Sequence, residues 1–167
     1  TVAQWASVFA EQGLGVSKAV GDLAGPMAFA ILMGSSRAFY GKFGDKINLE
    51  RFMQYSAVLC MVSYLMIAFI PVPALGILGC AVCGLSVGIM WPGTFSMAAA
   101  SVKRGGTALF ALLALAGDVG CSSGPTYVGM ISGALNDNLK LGIFAALIFP
   151  VLMIMGIKMI GSLQKYD

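Results

Sequence analysis

Apolar residues run through this chain in stretches about a membrane thickness long, separated by short polar segments. Five such runs stand out, at about 19–40, 52–70, 74–100, 107–135 and 141–160. A hydrocarbon core of about 30 Å needs roughly 20 predominantly apolar residues per helix. The runs show none of the alternation of membrane barrel strands, and helices are then the remaining way to satisfy a backbone in lipid. The pattern predicts an all-α integral membrane protein, a bundle of transmembrane helices. Thr1–Ala10 is a shorter apolar run leading into Glu11-Gln12-Gly13. At 1.5 Å rise per residue it covers about half a bilayer, so it reads as the end of a helix that begins before Thr1. A short interfacial helix is the alternative.

Breaks in the runs fall where residue chemistry dictates. Pro71-Val72-Pro73 ends the span that starts at Phe52, because proline lacks an N–H and restricts its predecessor. Gly76, Cys80, Gly84 and Gly88 recur every fourth position in the next span and should form one flat groove for a neighbouring helix. Gly21 and Gly25 do the same for the span before the charged segment. Trp91-Pro92-Gly93 should kink the fourth span, since Pro92 leaves the carbonyl of Gly88 without its helical donor.

Composition agrees: of 167 residues, 59% are hydrophobic and 10% charged, with 22 glycines and 11 methionines. No ordinary soluble domain has this balance. The net charge of +3 is dispersed at span ends and forms no continuous basic patch, which excludes nucleic-acid binding. The four cysteines lie in apolar runs, and Cys80-x-x-Cys83 has neither histidine nor a second pair to complete a metal site. No metal or cofactor is called for. No phosphate-binding loop, paired carboxylates or nucleophile with its base is present either, so an enzyme is not expected.

Charge placement sets an orientation. Threading the spans alternately puts Lys42, Lys46, Arg51, Lys103, Arg104, Lys158 and Lys165 on one side, against Lys18 and Lys140 on the other. By the positive-inside rule the segment 41–51 and the C-terminus are cytoplasmic, in the cell (inner) membrane.

Asp118 is the sharpest candidate for chemistry. It is the only charged residue between Arg104 and Asp137, near mid-span, where a carboxylate costs about 2.5–3.5 kcal/mol and normally faces a bundle interior or aqueous cavity. It reads as a solute contact or a proton acceptor, or else as a hydrogen-bonding link between helices. Ser122 follows one turn later on the same face. Gly117, Gly120, Gly124 and Pro125 should make this helix easy to bend or unwind. Gln4 and Trp5 offer an amide and an aromatic face suited to a polar ring such as a sugar, and Trp91 is a further aromatic candidate.

The segment Gly41-Lys42-Phe43-Gly44-Asp45-Lys46 resembles the loop signature of the major facilitator superfamily: glycine, three residues, aspartate, then a basic residue. In that family the signature joins the second and third helices of a six-helix half, which is its place here. Where the family pattern often continues with glycine and more basic residues, this chain has Asn48, Leu49 and Glu50 before Arg51, as is commoner in the second copy of the signature. The resemblance implies that residues 1–167 form the C-terminal six-helix half of a twelve-helix transporter. Trp91-Pro92 and Gly117–Pro125 are similar to sugar-permease-like members. It further implies alternating access of a small polar solute between two halves, the other half lying upstream on the same chain or in a second copy. Arg37, Gly41, Asp45 and Lys46 would form a gating loop, Gly41 allowing close packing and Asp45 a charged latch. A non-transporting membrane subunit that binds partner helices is the alternative reading.

Overall fold

The computed structural model describes residues 18–70, 73–102, 105–136 and 138–163, and all its regular structure is helical. The elements are α1 (Lys18–Phe43), α2 (Leu49–Phe69), α3 (Pro73–Val87), α4 (Met90–Ser101), α5 (Gly106–Ala134), α6 (Leu139–Ala145) and α7 (Ile148–Leu163), with a 3-10 turn at Gly44–Lys46. Four candidate spans among the described residues are long and apolar enough to cross a membrane: Leu49–Phe69, Leu75–Ser101, Gly106–Ala134 and Leu139–Gly161. To these α1 adds a helix of 26 residues. Among the described residues the molecule is an all-helical bundle of apolar helices.

The charged segment is mostly helix. α1 runs on to Phe43, the 3-10 turn closes with Ile47 N donating to the Gly44 carbonyl at 3.1 Å, and Asn48 caps α2 by accepting the amide of Arg51 at 3.1 Å. Reversal between two spans thus takes only a few residues.

α2 is the hub. It packs on α3, α4, α6 and α7, and buries Met53, Ser56, Ala57, Cys60, Ser63, Tyr64, Ile67 and Ala68. One cluster joins Met53, Met97 and Ile157, tying the start of α2 to the ends of α4 and α7. The other contains Cys60, Tyr64, Ile67, Cys80, Cys83, Val128, Leu139, Ile143 and Ala146. The first cluster and the approach of Gly161 to Glu50 place the charged segment and Lys158 at the same end of the bundle. Two buried hydroxyls are satisfied locally: Ser63 donates to the Cys60 carbonyl at 2.8 Å and Ser86 to the Cys83 carbonyl at 2.7 Å.

α3 lies between α1 and α2 and uses small residues on two faces rather than one. Toward α1, a side chain at Gly84 would run into the backbone of Phe29, and one at Gly88 would meet the Met33 carbonyl oxygen at 2.7 Å. Toward α2, a side chain at Gly79 would meet Ile67 at 2.8 Å. Backbones can approach this closely only without a Cβ, and such packing holds helices together where lipid is as apolar as the side chains.

Two spans are broken, each four residues before a proline. α3 and α4 are separated at Gly88–Ile89 ahead of Pro92, and α6 and α7 at Ala146–Leu147 ahead of Pro150. The missing N–H of each proline frees one carbonyl. At the second break the Ala146 carbonyl accepts from Phe149 N at 3.1 Å, a 3-10 solution. α5 corrects the expectation of a loosened helix: Gly106–Ala134 is continuous through Gly117, Gly120, Gly124 and Pro125.

Candidate functional site

At the first break the freed carbonyl finds a different partner. Arg37, on the last turns of α1, donates its Nε–H to the Gly88 oxygen at 2.9 Å across the α1–α3 interface. A hydrogen bond from a charged donor contributes about 1.5–3 kcal/mol, more than a neutral one. Beside it lies a space of about 280 Å³ lined by Arg37, Tyr40, Gly41, Ile89, Trp91 and Pro92. The structure therefore brings three expected site residues together, Arg37, Gly41 and Trp91. It also adds Tyr40, which sits one turn beyond Arg37 and was legible only through that spacing.

Trp91 reaches from the start of α4 to α5. Its ring lies 4.8 Å from that of Phe95, which stacks on Phe110 of α5 at 5.7 Å and 10°. The same indole covers Gly117, so a side chain there would collide with it. Trp91 thus rests against the residue immediately before Asp118.

α5 itself packs through one edge. Gly124, Val128 and Ser132 are buried, and Gly142 of α6 approaches so closely that a Cβ would lie 2.7 Å from the Val128 oxygen. Among the described residues most of its remaining surface is exposed. Asp118, Val119, Ser122, Ser123, Thr126, Tyr127 and Met130 line a groove of about 640 Å³. Asp118, Ser122 and Thr126 follow at i, i+4 and i+8, so they share a face. Ser122 donates to the Asp118 main-chain oxygen at 3.0 Å and Thr126 to the Ser122 oxygen at 2.8 Å. Both hydroxyls use their protons on the helix and turn lone pairs outward, where they can accept from a solute. Ser123, Thr126 and Tyr127 were not singled out in the sequence, though i+4 spacing from Asp118 and Ser122 points to Thr126.

The loop residues divide. Lys46 closes the 3-10 turn and is exposed, and Asp45 lies within the turn, its side chain outside the described residues. Gly41 is helical and exposed, and among the described residues no atom comes within 4 Å of where its Cβ would be. α1 continues past Gly41 as helix to Phe43. Gly44, under the Tyr40 ring with a Cβ distance of 3.2 Å, is the tighter glycine. Gln4 and Trp5 lie outside the described residues, as do Thr1–Ala10, Lys103, Arg104, Asp137 and Lys165. Among the described residues no group of three or more acidic or cysteine side chains could hold a metal ion.

Comparison with known proteins bears on the same segments. The family model described as Major Facilitator Superfamily matches residues 1–125, which takes in α1 to α4, the loop signature and α5 as far as Pro125. No curated protein and no solved structure matches the chain. Apolar spans, the helical bundle and this match identify a multi-pass membrane transporter in general terms, and families of this kind are not enzymes. The chain belongs to the Major Facilitator Superfamily.

Proposed function

We propose that the protein carries out secondary active transport of a small polar solute, with sugars the first class to test, by alternating access. The solute groove includes the Asp118–Ser122–Thr126 face of α5. Asp118 accepts the coupling proton, and a second six-helix half, on the same chain or in a second copy, covers the groove.

The observation that carries this reading is that the Asp118–Ser122–Thr126 face, near the middle of α5, is uncovered among the described residues. A carboxylate turned toward lipid costs about 2.5–3.5 kcal/mol, and such residues face protein or water instead. Among the described helices only the opposite edge of α5 is packed, which leaves the Asp118 side to water, solute, the rest of the chain or another bundle. Hydroxyl acceptors and the Tyr127 ring suit a solute that offers both O–H groups and an apolar ring face. Trp91, Gln4 and Trp5 are proposed to complete the aromatic and amide contacts. Arg37, Gly41, Asp45 and Lys46 form the cytoplasmic gate, at the end of the bundle that carries most of the positive charge.

Uptake into vesicles of the cell membrane tests the reading. With an imposed pH gradient, at least one member of a panel of labelled sugars and polyols should accumulate above its outside concentration, and a protonophore should discharge it. Accumulation of organic acids or cationic drugs with no sugar uptake would move the solute class. No protein-dependent uptake of any solute would favour a non-transporting subunit.

A further inference from the structure

We infer that Arg37 is a positioning residue that pins the α3–α4 break, and that through Trp91 this pin sets the environment of the Asp118 turn of α5. Three observations lie along one path. Pro92 cannot donate to the Gly88 carbonyl, so this oxygen has no helical partner and depends on what reaches it from outside. Arg37 Nε supplies that partner at 2.9 Å from a different helix, 51 residues earlier in the chain. Trp91, next to Pro92, lies on Gly117 beside Asp118.

A bond between side chain and main chain at a helix break is easily exchanged. α4 enters its first turn at Ile89 with no side-chain cap on its free amides. The neighbouring space of about 280 Å³ between Arg37, Tyr40 and Trp91 gives both the guanidinium and the indole room to move. Release of Arg37 lets α4 swing about Gly88–Ile89 and withdraws Trp91 from Gly117. Bonded, Arg37 holds Trp91 in place. A change at the charged end of α1 is thereby transmitted to the polar face of α5 without any contact between Arg37 and Asp118.

The inference adds to the transport reading, and its test does not depend on transport. Amide hydrogen exchange of residues 90–94 and 116–121, read by mass spectrometry on the purified protein, reports how often the break opens and Trp91 leaves Gly117. Arg37→Gln should raise the exchange rate roughly tenfold, the population shift expected from losing one hydrogen bond to a charged donor. Pro92→Ala returns an amide N–H to the Gly88 carbonyl and removes the need for Arg37. In that background Arg37→Gln should leave the rate where Pro92→Ala alone puts it. If Arg37→Gln fails to accumulate in the membrane, Pro92→Ala should restore it. An unchanged rate in Arg37→Gln, an equal effect of Arg37→Gln with and without Pro92, or a failure that Pro92→Ala does not repair would each overturn the pin.

Discussion

Replacing Asp118 by asparagine should reduce proton-driven accumulation of the solute to equality with the outside concentration, while exchange of solute for solute continues. Asparagine keeps the size and planar shape of the carboxyl and still hydrogen-bonds, but it cannot bind and release a proton in the working range. The position is suited to that distinction. Asp118 faces an open groove of about 640 Å³, and the neighbouring Ser122 hydroxyl bonds its main-chain oxygen and not its carboxylate, so the acid is left available to solute or water. If asparagine still supports full uphill uptake, Asp118 is not the coupling site. If exchange is lost as well, its role is solute binding.

Gly84→Leu should produce a large loss of stability. A Cβ at Gly84 would run into the carbonyl and Cα of Phe29, and backbone cannot move aside as a flexible side chain can. α1 must then lift from α3, which also opens the Gly88 approach and the Arg37 bond. Overpacking costs about 1–3 kcal/mol where side chains can adjust, and a backbone clash belongs at or above the top of that range. At 2–4 °C per kcal/mol for a chain of this size, thermal unfolding in detergent should fall by roughly 6–12 °C. Gly41→Ala is the control: among the described residues nothing lies within 4 Å of its Cβ position, and alanine favours helix. Its melting temperature should be unchanged or slightly higher. Equal melting of Gly84→Leu and the parent would contradict the close α1–α3 contact.

Particular residues show what the chain discloses before its structure. The apolar runs and the Gly41–Lys46 spacing announce a helical membrane bundle of this family because both are local properties of the sequence. Pro92 likewise shows that the Gly88 carbonyl must lose its donor. That Arg37 takes the carbonyl is not legible, since the pairing depends on α1 and α3 packing together through Gly84 and Gly88. Pro150 follows a helix break just as Pro92 does, yet Pro26 and Pro125 sit inside continuous helices. Proline removes one donor; the surrounding packing decides whether the chain bends there or simply continues. The small-residue series on α3 reads as one groove because four-residue spacing draws the eye to Gly84 and Gly88. Gly79 and Cys83 form the second face, toward α2. Asp118 was legible as a lone charge in an apolar run, but the acceptor row through Ser122 and Thr126 became clear only once α5 proved unbroken.

On the proposed transport reading, the Asp118 face of α5 borders an aqueous solute pathway. Single cysteines at Asp118, Ser122 and Thr126, in a Cys121→Ser background, can be exposed in native membranes to a water-soluble, membrane-impermeant thiol reagent. Met155 and Ile148, exposed apolar positions on α7, serve as lipid-facing controls when changed to cysteine. Cysteines at 118, 122 and 126 should react, and added solute should protect them, while those at 148 and 155 stay inert. Cysteines at 118, 122 and 126 as unreactive as the two controls would contradict the account.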